Sequence, residues 1–166
     1  MPHTHNRGAD ARTRTLARAA LIAAIYATLT LLLQPLSYGE IQIRLSESLT
    51  LLPILHPEAV PALAVGCLLA NVLGGCPVFD LLFGTLATLL AAMCTRKLRH
   101  HFWPAALMPV LFNGVIVGAV VHYAYAPVLP LPLTMLSVAL GEAVACLLVG
   151  PIVVRIMQRI PKEMFE

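Results

Sequence analysis

Residues 42–49 read QIRLSESL, which sets Arg44 and Glu47 between an apolar stretch ending near Leu33 and another beginning at Leu49. An ionised side chain in hydrocarbon is strongly disfavoured unless it faces a cavity, water or a partner. If both flanks cross a membrane, these two charges therefore mark a polar surface or site and not a lipid-facing one.

Composition settles the class. Of the 166 residues, 59% are hydrophobic and 11% are charged, and the mean hydropathy is +0.85. Soluble domains carry about 25% charged residues. The chain reads as an all-α, multispanning membrane protein, with room for about six spans of ~20 residues each and no soluble domain. The expected organisation is a polar cytoplasmic tail over 1–15, a single membrane domain over 16–157 and a second cytoplasmic tail over 158–166. The tail MPHTHNRGADARTRT precedes an apolar run with no clean small-residue cleavage site, so an uncleaved first span is expected. A net charge of +3 implies no nucleic-acid partner here, because in a membrane protein the position of basic residues says more than their sum.

Outward from QIRLSESL, the first span covers about 16–34 and ends at Gln34-Pro35. The second, Ser46 to Leu55, is only ~15 Å long at 1.5 Å per residue, so it must be tilted, extended by loop or shielded by its neighbours. His56-Pro57-Glu58 turns into a third span ending near Leu73, and Gly74-Gly75-Cys76-Pro77 breaks the chain again. A fourth span runs to Cys94. The basic stretch TRKLRHH leads to a fifth, Pro104 to Tyr123, and APVLPLPL to a sixth, Leu133 to Ile156. With both termini on one side, Arg7, Arg12, Arg14, Arg18, Arg96, Lys97, Arg99, Arg155, Arg159 and Lys162 share that side, and Arg44 alone lies on the other. The positive-inside rule makes the crowded side cytoplasmic.

Few polar residues fall within the spans, and they are the candidate site. Glu47 opens the second span, Asn71 lies near the outer end of the third, Asp80 near the outer start of the fourth, Asn113 mid-span in the fifth and Glu142 about three turns into the sixth. In this topology all five sit at the outer surface or no deeper than mid-bilayer, which describes a polar pocket open to the outside. Each also has a structural reading. Glu47 follows Ser46, an N-cap residue, and a carboxylate in a first helical turn suits the helix dipole. Arg44 pairs with it or meets lipid headgroups. Asp80, Gly84 and Thr88 form a small and polar stripe that also suits helix packing, and Asn113 precedes the small-xxx-small pair Gly114 and Gly118. Glu142, deepest in its span, points most strongly to ligand contact.

The first span carries small residues every four positions, Ala19, Ala23 and Ala27 in one row and Ala20 and Ala24 in another. Such rows let a second helix approach closely, whether within this bundle or from a partner. Cys67, Cys76, Cys94 and Cys146 are scattered singly, with neither zinc nor disulfide spacing. His3, His5 and His122 raise a metal-transport reading, but Pro2 lacks the amide N–H that chelation through a third-position histidine uses. His100 and His101 read as solvated. No metal or cofactor is expected. No GxxxxGK[ST] motif occurs, so nucleotide-driven transport would require partner subunits.

Taken in order, QIRLSESLTLLPIL, LLANVLGG, FDLLFGTLATLLAA with its following basic loop, FNGVIVG and ALGEAVACLLVG resemble the QueT family of queuosine-precursor transporters, which are substrate-binding S components of energy-coupling factor transporters. The resemblance covers about 16–157. It implies a six-helix bundle in the cell membrane that is not an enzyme. Such a bundle captures a 7-deazaguanine, the aminomethyl form being favoured, and works with a coupling transmembrane subunit and two ATPase subunits. It implies that the alanine row Ala19, Ala23, Ala27 meets the coupling subunit, and that the loop after the first helix caps the pocket. In that pocket Glu142 would take the guanine-like edge, Glu47 or Asp80 the aminomethyl cation, and Asn113 or Arg44 the carbonyl. Asn71 would line the same site. Tyr38, Tyr125, Phe79 and Phe112 are candidates to stack on the bicycle. An S component for another vitamin or small nutrient is the alternative, because function lives in the site and not the fold. An intramembrane enzyme built on a carboxylate pair is a more distant one.

Overall fold

The computed structural model describes residues 7–33, 44–125 and 129–159. Among these the chain is helical throughout, with no strand. In order come α1 (Arg7–Leu32), a 3-10 helix (Leu45–Ile54), α2 (Ala59–Leu73), α3 (78–97), α4 (Phe102–Tyr125) and α5 (Leu131–Arg159). Three of them are long and apolar enough to cross a membrane: Ala11–Leu32 within α1, α4 and α5. The 3-10 helix and α2 are shorter apolar helices. The segment expected to cap the pocket, with Tyr38, lies outside the described residues.

Helix α1 begins at Arg7, ahead of the apolar span it carries, because RGADARTRT is rich in Ala and Arg, both strong helix formers, and holds no proline. One expectation changes. The second span is not an α-helix. Its ten residues are wound as 3-10 helix, at about 2.0 Å per residue, so they reach about 20 Å where an α-helix would reach ~15 Å. Runs of 3-10 helix this long are uncommon, and the neighbours sustain this one. Every residue from Ser46 to Pro53 is buried, and the Arg96 Nη1 donates to the carbonyl oxygens of Pro53 (3.0 Å) and Ile54 (3.2 Å), satisfying acceptors that the helix end leaves open.

These contacts set the directions of the helices. Arg18, in the first half of α1, meets Glu58 at the start of α2 (3.4 Å), and Thr95 near the end of α3 donates to the Ala105 carbonyl at the start of α4 (3.1 Å). The part of α1 around Arg18, the first turn of α2, the last turn of α3 and the end of the 3-10 helix thus share one end of the bundle. The opposite end holds Leu45, the turn from Asn71 to Asp80 and the last residue of α4, Tyr125. There Gly75, at φ +71°, makes the reversal that an L side chain would strain.

Helix contacts are close where side chains are small. A Cβ on Gly66 of α2 would lie 2.9 Å from the Ala23 carbonyl oxygen of α1, and one on Gly118 of α4 would lie 2.6 Å from the Met135 Cα of α5. Tyr26, Ala27, Leu52, Leu63 and Cys67 form the main apolar core. The outward faces carry large exposed apolar residues, among them Leu21, Val65, Leu69, Leu111, Leu140 and Leu148. An apolar exterior of this extent on a packed bundle is what lipid contact requires.

Candidate functional site

Five helices each send one polar side chain to the middle of the bundle. Tyr26 comes from α1, Glu47 from the 3-10 helix, Thr88 from α3, Asn113 from α4 and Glu142 from α5, and each is at most 2% exposed. The Tyr26 hydroxyl donates to Glu47 Oε1, and Thr88 Oγ1 reaches the same oxygen at 3.5 Å. The other oxygen, Glu47 Oε2, is buried with no hydrogen-bond partner among the described residues, as is Asn113 Nδ2. The Asn113 amide nonetheless lies beside both the Glu47 and the Glu142 carboxyl groups. Arg44, 3% exposed, stands immediately before the 3-10 helix as its N-cap residue.

Local chain geometry explains how these residues meet. The Arg44 carbonyl accepts from the Glu47 N–H (2.9 Å), fixing the first 3-10 turn. Cys146, one turn after Glu142, donates to the Glu47 carbonyl (3.4 Å) and contacts Thr50 (3.8 Å), which locks α5 to the 3-10 helix beside the carboxylates. Two of the three π-helical turns begin at candidate residues, Asp80–Gly84 and Asn113–Val117, and the third, Val144–Val149, starts two residues after Glu142. A π turn widens the helix and rotates the side chains that follow, and such turns concentrate at functional sites.

Asp80 and Asn71 form a second group nearer the opposite end. The Tyr125 hydroxyl donates to Asp80 Oδ2 (2.5 Å), leaving Oδ1 buried without a partner among the described residues. Asn71 donates to the Asp80 backbone carbonyl (3.1 Å) and to Cys67 Sγ (3.6 Å), and Thr88 also reaches Cys67 Sγ (3.5 Å). Thr88 and Cys67 thus link the two groups. Asn71 acts here as a clasp on the turn between α2 and α3.

The expected open pocket is closed in this structure, since its central residues have almost no exposed surface. Buried carboxylates need donors around them; Tyr26 and Thr88 donate to Glu47, and the Asn113 amide stands beside both carboxyl groups. A cavity of about 640 Å³ does exist, but it is an apolar groove on the outer surface, lined by Phe79, Phe83, Val115 and Met135 among others, and it holds none of the polar cluster. Of the stacking candidates, Phe79 lines that groove, Tyr125 is engaged by Asp80, and Phe112 is half-buried. Among the described residues, no group of three His, Cys, Asp or Glu side chains is placed to hold a metal ion.

The alanine rows separate. Ala23 and Ala27 are buried inside the bundle and Ala19 packs against the same core, where Gly66 approaches Ala23. Ala20 and Ala24 are exposed. A partner helix could reach the first row only by displacing α2, so the exposed row is the available one.

Tyr26 and the hydroxyl of Thr88 are the site residues that sequence reasoning missed. A tyrosine in mid-span needs a partner for its hydroxyl, and that was the available signal for Tyr26.

A bundle with an apolar exterior, three helices able to cross a membrane and a polar cluster gathered inside it from five helices is a multi-pass membrane protein. The family described as QueT transporter matches residues 16–159. The queuosine precursor transporter QueT of Lactococcus lactis subsp. cremoris (strain MG1363) is 30% identical over 144 residues, covering 79% of this chain and 85% of that protein. No solved structure matches. The chain belongs to the QueT transporter family, and it is a membrane transporter and not an enzyme.

Proposed function

We propose that this chain is the membrane-embedded subunit that captures a 7-deazaguanine queuosine precursor from outside the cell. In this reading the bundle crosses the cell membrane six times with both termini cytoplasmic. The ten-to-one distribution of basic residues supports that orientation, and so does the placement of Arg18 and Arg96 at one end of the helices. A coupling transmembrane subunit and two ATPase subunits supply the energy, since the sequence has no nucleotide-binding loop. The coupling subunit docks on α1 over the exposed Ala20 and Ala24.

The observation that carries the proposal is the convergence of Glu47, Asn113 and Glu142, from three separate helices, on one buried point. A guanine-like edge offers a ring N–H and an amino group, a pair of donors that one carboxylate accepts with its two oxygens, while the ring carbonyl takes the Asn113 amide. A second carboxylate then remains for an aminomethyl cation. Glu142 is assigned to the edge and Glu47 to the cation, with Asp80 and Asn71 shaping the entrance. Mass spectrometry of small molecules retained by the purified chain, followed by calorimetry with the aminomethyl and cyano forms of 7-deazaguanine, tests this. Retention of an unrelated vitamin would replace the substrate while leaving the transport role.

A further inference from the structure

One carboxylate of the cluster is half occupied by the protein itself. The Tyr26 hydroxyl donates to Glu47 Oε1, and Thr88 Oγ1 lies 3.5 Å from the same oxygen. Both hydroxyls thus converge on one oxygen, and Oε2 is left buried with no partner among the described residues. Buried polar atoms in native proteins are almost always paired, so an acceptor left over on a residue 1% exposed is the atom that a ligand donor would meet. The arrangement is firmly held. Tyr26 is completely buried, and one turn further along α1 Thr30 Oγ1 lies 2.6 Å from Ser46 Oγ, so α1 grips two successive residues of the 3-10 helix. Thr50 Oγ1 and Cys146 Sγ both donate to the Glu47 carbonyl, which fixes its backbone. Glu142 differs: among the described residues no hydroxyl donates to it, and its neighbour is the Cys146 thiol, a weak donor 4.0 Å from Oε2.

The number of oxygens left over decides what each carboxylate can take. The guanidine-like edge of a 7-deazaguanine carries two donors side by side and needs both oxygens of one carboxylate. Glu47 cannot provide them while Tyr26 engages Oε1. A single remaining oxygen suits a point-like donor, and the ammonium of an aminomethyl group is one. We propose that Tyr26 is the positioning residue that sets the site's choice of substituent: by engaging Oε1 it makes Glu47 a one-oxygen acceptor reserved for the ammonium, and leaves the two-donor edge to Glu142. This rests on the substrate reading above and adds the source of its specificity. Without the hydroxyl the two carboxylates would compete for the same edge. A neutral cyano group, with an acceptor nitrogen and no donor, meets Oε2 with the wrong sense, so the aminomethyl form is selected over the cyano form.

The test is calorimetry of the aminomethyl and cyano forms of 7-deazaguanine against the full-length chain in detergent, as wild type, Tyr26→Phe, Glu47→Gln and the double variant. The wild type should prefer the aminomethyl form. In Tyr26→Phe the carboxylate is free to turn, so that preference should fall by roughly tenfold while the cyano form binds within about threefold of wild type. In Glu47→Gln the amide oxygen must take the tyrosine hydroxyl, so the N–H₂ points where Oε2 was and donates to the nitrile; the preference should reverse. In the double variant the amide is free to turn over, and the reversal should be lost. A merely structural role for Tyr26 would weaken both ligands alike, and that result overturns the proposal, as does a Glu47→Gln protein that keeps the wild-type order. If Tyr26→Phe is not recovered folded, the reversal in Glu47→Gln, where Tyr26 is intact, decides the matter. A wild type that binds both forms equally keeps the substrate reading and sinks the proposal, whereas a wild type that binds neither sinks both.

Discussion

Replacing Tyr26 by phenylalanine removes one oxygen from the centre of the bundle. Tyr26 is completely buried and its hydroxyl donates to Glu47 Oε1, whose other neighbour, Thr88 Oγ1, is at 3.5 Å, the far limit of hydrogen bonding. A hydrogen bond to a charged group contributes about 1.5–3 kcal/mol, and losing it leaves a buried acceptor poorly satisfied. The ring and its packing survive, so little cavity cost is added. At about 2–4 °C per kcal/mol for a chain of this size, Tyr26→Phe should lower the ligand-free melting temperature by roughly 3–12 °C. The control is the same change in a Glu47→Met background, where the tyrosine hydroxyl has lost its acceptor. There Tyr26→Phe should be neutral or stabilising, because it deletes an unsatisfied buried donor, and the two changes should be strongly non-additive. The assay is a thermal melt of all four proteins in one detergent. An unchanged melting temperature for Tyr26→Phe, or the same drop in both backgrounds, would refute the reasoning.

The two alanine rows of α1 should respond differently to bulk. Ala23→Leu pushes into Gly66 and Tyr26 and should destabilise the isolated chain by ~1–3 kcal/mol or more, seen as a lower melting temperature. Ala24→Leu, on the exposed row, should leave the melt unchanged and weaken co-purification with the coupling subunit; equal effects of the two changes would contradict the placement of α1. For orientation, in a chain whose own cysteines are replaced, Pro77→Cys should react with an impermeant thiol probe on intact cells and Arg99→Cys only after permeabilisation. Labelling of both from one side would rule out the six-crossing arrangement.

How much of this was legible in the sequence differs by element. Helix ends marked by His56-Pro57, Gly74-Gly75 and the basic 96–101 stretch were plain, because proline, glycine and charge punctuate apolar runs. Glu47, Asn113 and Glu142 stood out as rare polar residues in spans, and the structure brings them together. The alanine rows were ambiguous for a physical reason: residues at steps of four share a face, but nothing local says whether that face looks inward. Gly66, far away in the chain, settles it by admitting Ala23. The 3-10 winding of Leu45–Ile54 and the three π turns were invisible, since both depend on how neighbours satisfy backbone groups and not on intrinsic propensity. Asp80, Gly84 and Thr88 read as one stripe, yet Asp80 pairs with Tyr125 while Thr88 turns to Glu47. The π turn beginning at Asp80 lies between them.

The central claim is that a 7-deazaguanine binds between Glu142 and Glu47, and calorimetry of aminomethyl-7-deazaguanine against wild type and Glu142→Gln tests it most directly. The substitution keeps the volume but removes one acceptor oxygen and turns an N–H₂ toward a ligand donor, so affinity should fall by ~1.5–3 kcal/mol, roughly ten- to over a hundredfold. The ligand-free protein should still melt cooperatively, since an amide is easier to bury than a carboxylate. Equal affinity of the two proteins, or no binding by the wild type, would contradict the account.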